Sequence, residues 1–190
     1  MRKVRVSMNV TLDGYMAGPD CELDWHFNYW NEEMADHACQ QLSKADTILL
    51  GRVTYVAMAK YWPCQACNLS YPREHLAFAE MMNSHLKIVF SKTLSRASWN
   101  NSRLVNKHFK AEISRLKRQE GKDIIIYGSG QLVNSLMQSG LIDEYELWVH
   151  PVLLGDGKAL FTGIEDIRTL KLIKTTPFNS GVVILYYGAA

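Results

Sequence analysis

The stretch IIIYGSGQLVNSLM, residues 124–137, decides how the rest of the chain is read. Ile124 to Tyr127 is an apolar run of strand length. Leu132, Val133, Leu136 and Met137 then recur at helical spacing, with Gly140 as the stop. Between them, Gly128, Ser129 and Gly130 carry no bulk, so the backbone can approach a ligand while the helix start turns unpaired N–H groups towards it. Such a junction suits an anion of the pyrophosphate type. A tight turn explains two glycines equally well.

Two further strand ends repeat the pattern. Thr47 to Leu50 runs into Gly51-Arg52-Val53-Thr54-Tyr55, where a helix begins and Arg52 supplies a permanent charge with a fork suited to phosphate. Lys87 to Phe90 ends in Ser91-Lys92-Thr93, adding hydroxyl donors and a second cation. Each turn read alone is a cap or a bend. Together, three such strand ends are what a dinucleotide requires along the carboxyl edge of a sheet.

Outward from these junctions, Val4, Val6, Met8 and Val10 alternate with Arg5, Ser7 and Asn9, which predicts a first strand with one face on the core. Asp13-Gly14 turns the chain into a long, aromatic loop over residues 15–30. Asn31 is predicted to cap a helix with Glu32 and Glu33 in its first turn, Lys44 in its last, and a buried stripe of Met34, Ala35, Ala38, Cys39 and Leu42. Residues 64–83 read as a loop or short helix. Phe109, Ile113 and Leu116 mark the inner stripe of a later helix, whose outer face of Lys107, Lys110, Arg115, Lys117 and Arg118 reads as solvated surface in preference to a phosphate site. Past Gly140, Tyr145, Leu147 and Val149 alternate with Glu144, Glu146 and Trp148. Two more strands, near 170–174 and 182–187, complete a β-rich end predicted to be antiparallel. The order of elements predicts an α/β domain spanning residues 1–190, with a mainly parallel sheet and an antiparallel edge.

Composition narrows the function classes. A formal net charge of +2 without any block of like charges points away from nucleic acid and from anionic membranes. The longest apolar runs are strand-length, so no membrane span is predicted, and the N-terminus lacks a signal peptide; a cytoplasmic location is the expectation. Cys21, Cys39, Cys64 and Cys67 are too few for a disulfide framework, and reduced thiols are expected. Cys64 and Cys67 have redox or zinc spacing, but no second pair accompanies them and only His75 and His85 stand near, so no metal is predicted.

The stretches 47–55, 90–94 and 124–132 resemble the cofactor-binding elements of dihydrofolate reductases. Ser7 to Gly18, with Thr11-Leu12-Asp13-Gly14, and Pro151-Val152-Leu153-Leu154-Gly155-Asp156-Gly157 look more like the reductase domain of the bifunctional riboflavin-biosynthesis deaminase-reductase and its stand-alone relatives. The resemblance runs over almost the whole chain. It implies a dihydrofolate-reductase-like three-layer fold, a central mixed sheet with flanking helices, and NADPH lying across the carboxyl edge. It further implies that Gly51, Arg52, Thr54, Ser91 and Lys92 face the adenosine half and its extra phosphate, that Gly128, Ser129, Gly130 and Gln131 face the pyrophosphate, and that the protein is a homodimer. Arg52 and Lys92 would favour NADPH over NADH, because an added dianion needs added positive charge.

The reaction expected from this resemblance is hydride transfer to a C=N or C=O bond of a small heterocyclic or sugar-linked substrate, with dihydrofolate reduction and a non-catalytic nucleotide-binding dimer as alternatives. Without a Cys/His zinc signature the chain cannot perform the paired deamination. Folate reduction calls for a carboxylate on the first long helix facing the pocket. At 100° per residue Glu32 falls about 80° from the centre of the apolar stripe and Asp36 about 120°, so Glu32 alone is aimed usefully, in a first turn where the helix dipole explains it as well. Asp13 is the other candidate acid, or simply an Asp-Gly turn. Trp25 and Trp62, with Phe27, Tyr29, Trp30 and Tyr61, are expected in two loops flanking the nicotinamide, where they could stack on a flat substrate. His26, His37, His108 and His150 read as structural or surface residues.

Overall fold

The computed structural model describes residues 1–65 and 73–189. Its centre is an eight-stranded sheet. In chain order the elements are β1 (Val4–Thr11), β2 (Tyr15–Ala17), a 3-10 turn (Asp24–Tyr29), α1 (Glu32–Ser43), β3 (Ala45–Gly51), α2 (Arg52–Gln65), α3 (Arg73–Ser84), β4 (Leu86–Phe90), β5 (Ser102–Val105), α4 (Phe109–Arg118), β6 (Asp123–Ile126), α5 (Gly130–Gln138), β7 (Glu144–His150), β8 (Lys158–Ala159), β9 (Leu170–Pro177) and β10 (Val183–Ala189). The sheet order is β5-β4-β3-β6-β1-β7-β10-β9, while β2 and β8 form a separate two-stranded ribbon. The pairs from β5 across to β7 are parallel, and β10 and β9 are antiparallel additions.

Helices cover both faces. Ile113 and Leu116 of α4 and Leu132, Val133 and Leu136 of α5 pack on Val4, Val6, Ile124 and Ile126. On the other face Leu42, Tyr55 and Met82, one from each of α1, α2 and α3, meet Ile48, Leu50 and Ile125. Met34 and Ala38 continue that layer over Trp148, Ile184 and Tyr186. This is the three-layer, mainly parallel α/β arrangement expected from the sequence.

Several expectations are corrected. β1 is central and covered on both faces, so Arg5 and Ser7 are buried instead of facing water. β7, read as part of an antiparallel end, is parallel to β1 and antiparallel only to β10. Glu146 is buried for the same reason: it lies over β1 and bonds Arg5 at 2.9 Å. Lys117 does not join the solvated face of α4 but is buried and pairs with Asp143 at 2.6 Å. β5 went unseen because Ser102-Arg103-Leu104-Val105 carries too few apolar residues to read as a strand; it is an edge strand that needs only one partner.

The predicted cap is present: Asn31 Oδ1 accepts from Met34 N at 3.0 Å. Helix α2 runs through Trp62 and Pro63 to Gln65, where the sequence suggested a loop. Cys64 is exposed with a free thiol, and Cys67 lies outside the described residues. Lys87 is buried on β4, its ammonium donating to the carbonyls of Met82, Asn83 and His85 at 2.8–2.9 Å. It thus closes the orphan carbonyls at the end of α3, where a cation also complements the dipole.

Candidate active site at the carboxyl edge of the sheet

Strand register brings the three sequence junctions to one level. Leu49 pairs with Ile126 on one side and with Ile88 on the other. Two residues further along these parallel strands stand Gly51, Gly128 and Phe90, with Ser91 immediately after. Gly51 N–H donates to the Gly128 carbonyl at 3.1 Å, so two of the junctions touch through backbone. A Cβ at Gly51 would run into Ser129 Oγ, and one at Gly128 would stand 2.8 Å from Thr54 Oγ1. Gly51, Thr54, Gly128 and Ser129 are therefore one cluster. Gly128 also has φ +117°, a conformation that a side chain would strain.

Helix α5 opens from this cluster. Ser129 is its N-cap, yet the hydroxyl makes no capping bond. Helix geometry leaves Gly130, Gln131 and Leu132 N–H without an intrahelical acceptor, since the first such bond recorded runs from Val133 N to Ser129 O at 3.1 Å. Gly130 lies under Met16 of β2, whose Sδ and Cε would stand 2.6 and 2.5 Å from a Cβ placed there. Arg52 is the exposed first residue of α2. At the neighbouring strand end Ser91 Oγ accepts from Thr93 N and Leu94 N at 3.2 and 2.9 Å, leaving its proton to donate, and Lys92 is exposed beside it. Orphan amides, an uncommitted hydroxyl and two cations without an ion-pair partner among the described residues, all along one edge, fit a polyphosphate.

The sequence missed one part of this edge. Phe90 pairs with Val105, so the residues after β5 reach the same level as Ser91. There Lys107, His108, Arg103 and Arg115 line a cavity of about 330 Å³. Arg115 and Arg103 together hold Glu112 down at about 2, leaving the pocket net positive. Part of the basic face of α4 thus belongs to the carboxyl edge; only the unrecognised β5 could have revealed it.

Of the predicted acids, Asp13 accepts from Thr11 Oγ1 at 2.5 Å and from Leu154 N and Gly155 N at 3.0 and 2.8 Å. The Thr11 hydroxyl first, then the Gly155 amide, lower its pKa, which holds the carboxylate as a loop clasp and opposes its use as a proton donor. Glu32 is exposed in the first turn of α1, whose buried residues are Met34, Ala35, Ala38, Gln41 and Leu42, so no carboxylate of that helix points into the fold. Trp62 lies on α2, not in a loop, packed against Tyr61 and Phe78. Ten residues of helix place it about 15 Å along the axis from Arg52. Trp25 does stand at the strand ends, edge-on to His150.

His150 is fully buried at the end of β7, where burial foremost and His26 second push its pKa down to about 4. An unfolded histidine titrates near 6.5, above the folded value, so this contribution to stability is complete above about pH 6.5 and is lost as pH falls towards 4. The full loss is about 3 kcal/mol. Urea unfolding of the native chain should weaken over that window and His150→Phe should show a flatter profile. Identical slopes in the two proteins would refute the assignment.

Residues 2–184 match the family model described as the RibD C-terminal domain. The chain belongs to that family. YyaP of Bacillus subtilis (strain 168), an uncharacterized protein, is 33% identical over 186 residues, covering 98% of this chain and 94% of YyaP. Among solved structures, a candidate riboflavin biosynthesis protein of Shewanella sp. PV-4 shares the fold of this RibD C-terminal domain with a TM-score of 0.76, at 22% identity and 99% coverage of both chains. Dihydrofolate reductase from Enterococcus faecalis, solved with NADP(H), superposes at a TM-score of 0.62 with 13% identity, covering 98% of this chain and 96% of that one. The dihydrofolate-reductase-like fold is thereby shown.

Proposed function

We propose that the chain is an NADPH-dependent reductase acting on a C=N or C=O bond of a small heterocyclic or sugar-linked substrate, similar to 5-amino-6-(5-phosphoribosylamino)uracil reduction. The observation that carries this reading is the backbone contact of Gly51 with Gly128 beside the orphan amides of α5. The amides of Gly130, Gln131 and Leu132, with the Ser129 hydroxyl, would hold the pyrophosphate. Arg52, Ser91 and Lys92 would hold the adenosine side and its extra phosphate. When bound, the nicotinamide supplies the hydride. The proton comes from water, since Asp13 is committed to its loop amides. Dihydrofolate reduction is less well supported, because α1 presents no buried carboxylate to a pterin.

Replacing Arg52 by Ala should weaken NADPH about tenfold to a hundredfold, the effect of one charge-assisted phosphate contact, and leave NADH nearly unchanged. Equal losses for both nucleotides, followed by quenching of protein fluorescence, would show that Arg52 does not read the extra phosphate. Turnover is tested by adding ribosylaminopyrimidines and pterins to protein and NADPH while following nicotinamide absorbance. Tight cofactor binding with no turnover of any of them would identify a binding module instead of an enzyme.

A further inference from the structure

On the face of the sheet covered by α1, β1 and β7 end side by side, with Ser7, Asn9 and Thr11 in register with Glu146, Trp148 and His150. His150 Nε2 lies 3.1 Å from Asn9 Oδ1, which places the proton on Nε2 and leaves Nδ1 a lone pair. That Nδ1 is buried and, among the described residues, has no donor. The indole N–H of Trp25 is likewise buried and has no acceptor among them. The two rings meet edge-on, 5.2 Å apart at 86°. His26 and Tyr29 close the box, their centroids 6.0 and 5.9 Å from that of His150.

A buried donor and a buried acceptor, both unsatisfied in contacting rings, are costly to the fold by themselves, and nothing else in the box repays them. The cover over them is thin. The 3-10 turn that carries Trp25, His26 and Tyr29 contains no fully buried residue and has no side-chain cap. A flat ring entering beneath it would displace no core element. The box lies beyond the same edge: Val6 pairs with Ile126, so Met8 is level with Gly128; His150 is level with Thr11, about 10 Å further along, and β7 is two strand spacings, about 10 Å, from β6.

We propose that Trp25 and His150, with His150 oriented by Asn9, are the specificity element of the substrate pocket, and that they select a neutral planar ring carrying an N–H donor beside a carbonyl acceptor. The class is a cyclic amide. The ligand N–H donates to His150 Nδ1 and its carbonyl accepts from Trp25 Nε1, so the two unpaired atoms satisfy the two halves of one amide edge. The titratable groups facing His150 are Tyr29 and His26, both on the covering turn; β1 contributes Asn9 and Thr11, which are neutral. His150 itself is held neutral by burial, so the acceptor persists at physiological pH. A carboxylate in its place would instead select a cationic ring. This assignment rests on the reductase reading, since it locates that enzyme's substrate.

The test is saturation-transfer NMR on the full chain with uracil, which carries the amide edge, and 1,3-dimethyluracil, which keeps the ring and carbonyls but has no N–H donor. NADPH binding is measured separately. Uracil should bind and the dimethyl compound should bind about tenfold more weakly. Trp25→Phe keeps a ring in a half-exposed position and removes only the donor; it should weaken uracil about tenfold, the loss of one hydrogen bond, with NADPH affinity unchanged. His150→Phe should do the same. Should that variant fail to fold, Trp25→Phe decides. Unchanged uracil affinity in Trp25→Phe, equal or tighter binding of the dimethyl compound, or no uracil binding by a chain that binds NADPH would each overturn the proposal, the first leaving ring packing as the whole role of Trp25. Uracil binding that depends on Trp25 in a chain blind to NADPH would uphold this site and sink the reductase reading instead.

Discussion

Gly130→Asp should leave a folded protein that no longer binds NADPH, with affinity reduced about a hundredfold to a thousandfold. The two consequences separate because they act through different atoms. A carboxylate in the first turn of α5 faces the positive end of the helix dipole and can accept from the orphan amides, which supports the helix by about 0.3–1 kcal/mol. The Cβ would press on Met16 Sδ and Cε at 2.6 and 2.5 Å, and these atoms are the tip of a flexible side chain on the β2 ribbon that can swing aside. Against the pyrophosphate, however, the same carboxylate occupies the donors and adds a like charge. Two unit charges about 4 Å apart at a protein surface repel by about 4 kcal/mol. Gly130→Ala is the control: it repeats the crowding without the charge, and should cost far less affinity. The measurements are fluorescence titration with NADPH and a thermal melt. Undiminished affinity in Gly130→Asp would remove the pyrophosphate from the start of α5.

The junctions were legible because a glycine between an apolar strand and a helix has few readings, and two of these with a third polar strand end at Ser91 restrict one another. Gly51, Ser91 and Gly128 do come to one edge, as the spacing implied, through parallel register. What the sequence concealed depends on which strands are neighbours. Arg5 and Glu146 lie 141 positions apart and look like solvent-facing members of two alternating strands. Once β1 and β7 pair and α1 covers them, both become interior and must find each other. His150 was hidden in the same way: no pattern marks a lone histidine as the meeting point of Asn9, Trp25, His26 and Tyr29. The cavity beside β5 was lost with its edge strand, whose four residues carry no clear period. Trp62 was misplaced because Trp62-Pro63 reads as a helix end, whereas Pro63 is accommodated in the last turn of α2 at the loss of the one backbone bond its missing N–H would have made.

The buried pair at the centre of the sheet yields the largest stability effect. Glu146→Leu should destabilise the fold by about 3–5 kcal/mol, because it leaves the Arg5 guanidinium inside the protein without its main partner. Side-chain exposures of 7% for Arg5 and 3% for Glu146 mean that water cannot take over that role. The remaining carboxylate, Asp123, stands 3.4 Å from Arg5 Nε on the rim and compensates only in part. The loss spreads further, since Gln41 donates from Nε2 to Glu146 while its Oε1 accepts from Ser7 Oγ at 3.0 Å and Ser7 Oγ accepts in turn from Trp148 Nε1 at 3.2 Å. Removing the carboxylate therefore unties a network that fixes α1 on the sheet. Yet the pair is a costly way to fill this space: burial pushes the Glu146 pKa up, and Arg5, pulling it down, does not fully offset that. It follows that Arg5→Met combined with Glu146→Leu should recover most of what the single change loses, because an apolar pair carries no desolvation cost. Urea unfolding of the three proteins reads this directly, with the single variant melting on the order of 10 °C lower. A single variant within about 1 kcal/mol of the native chain, or a double variant no better than the single, would show that the interior of the sheet does not depend on this charge pair.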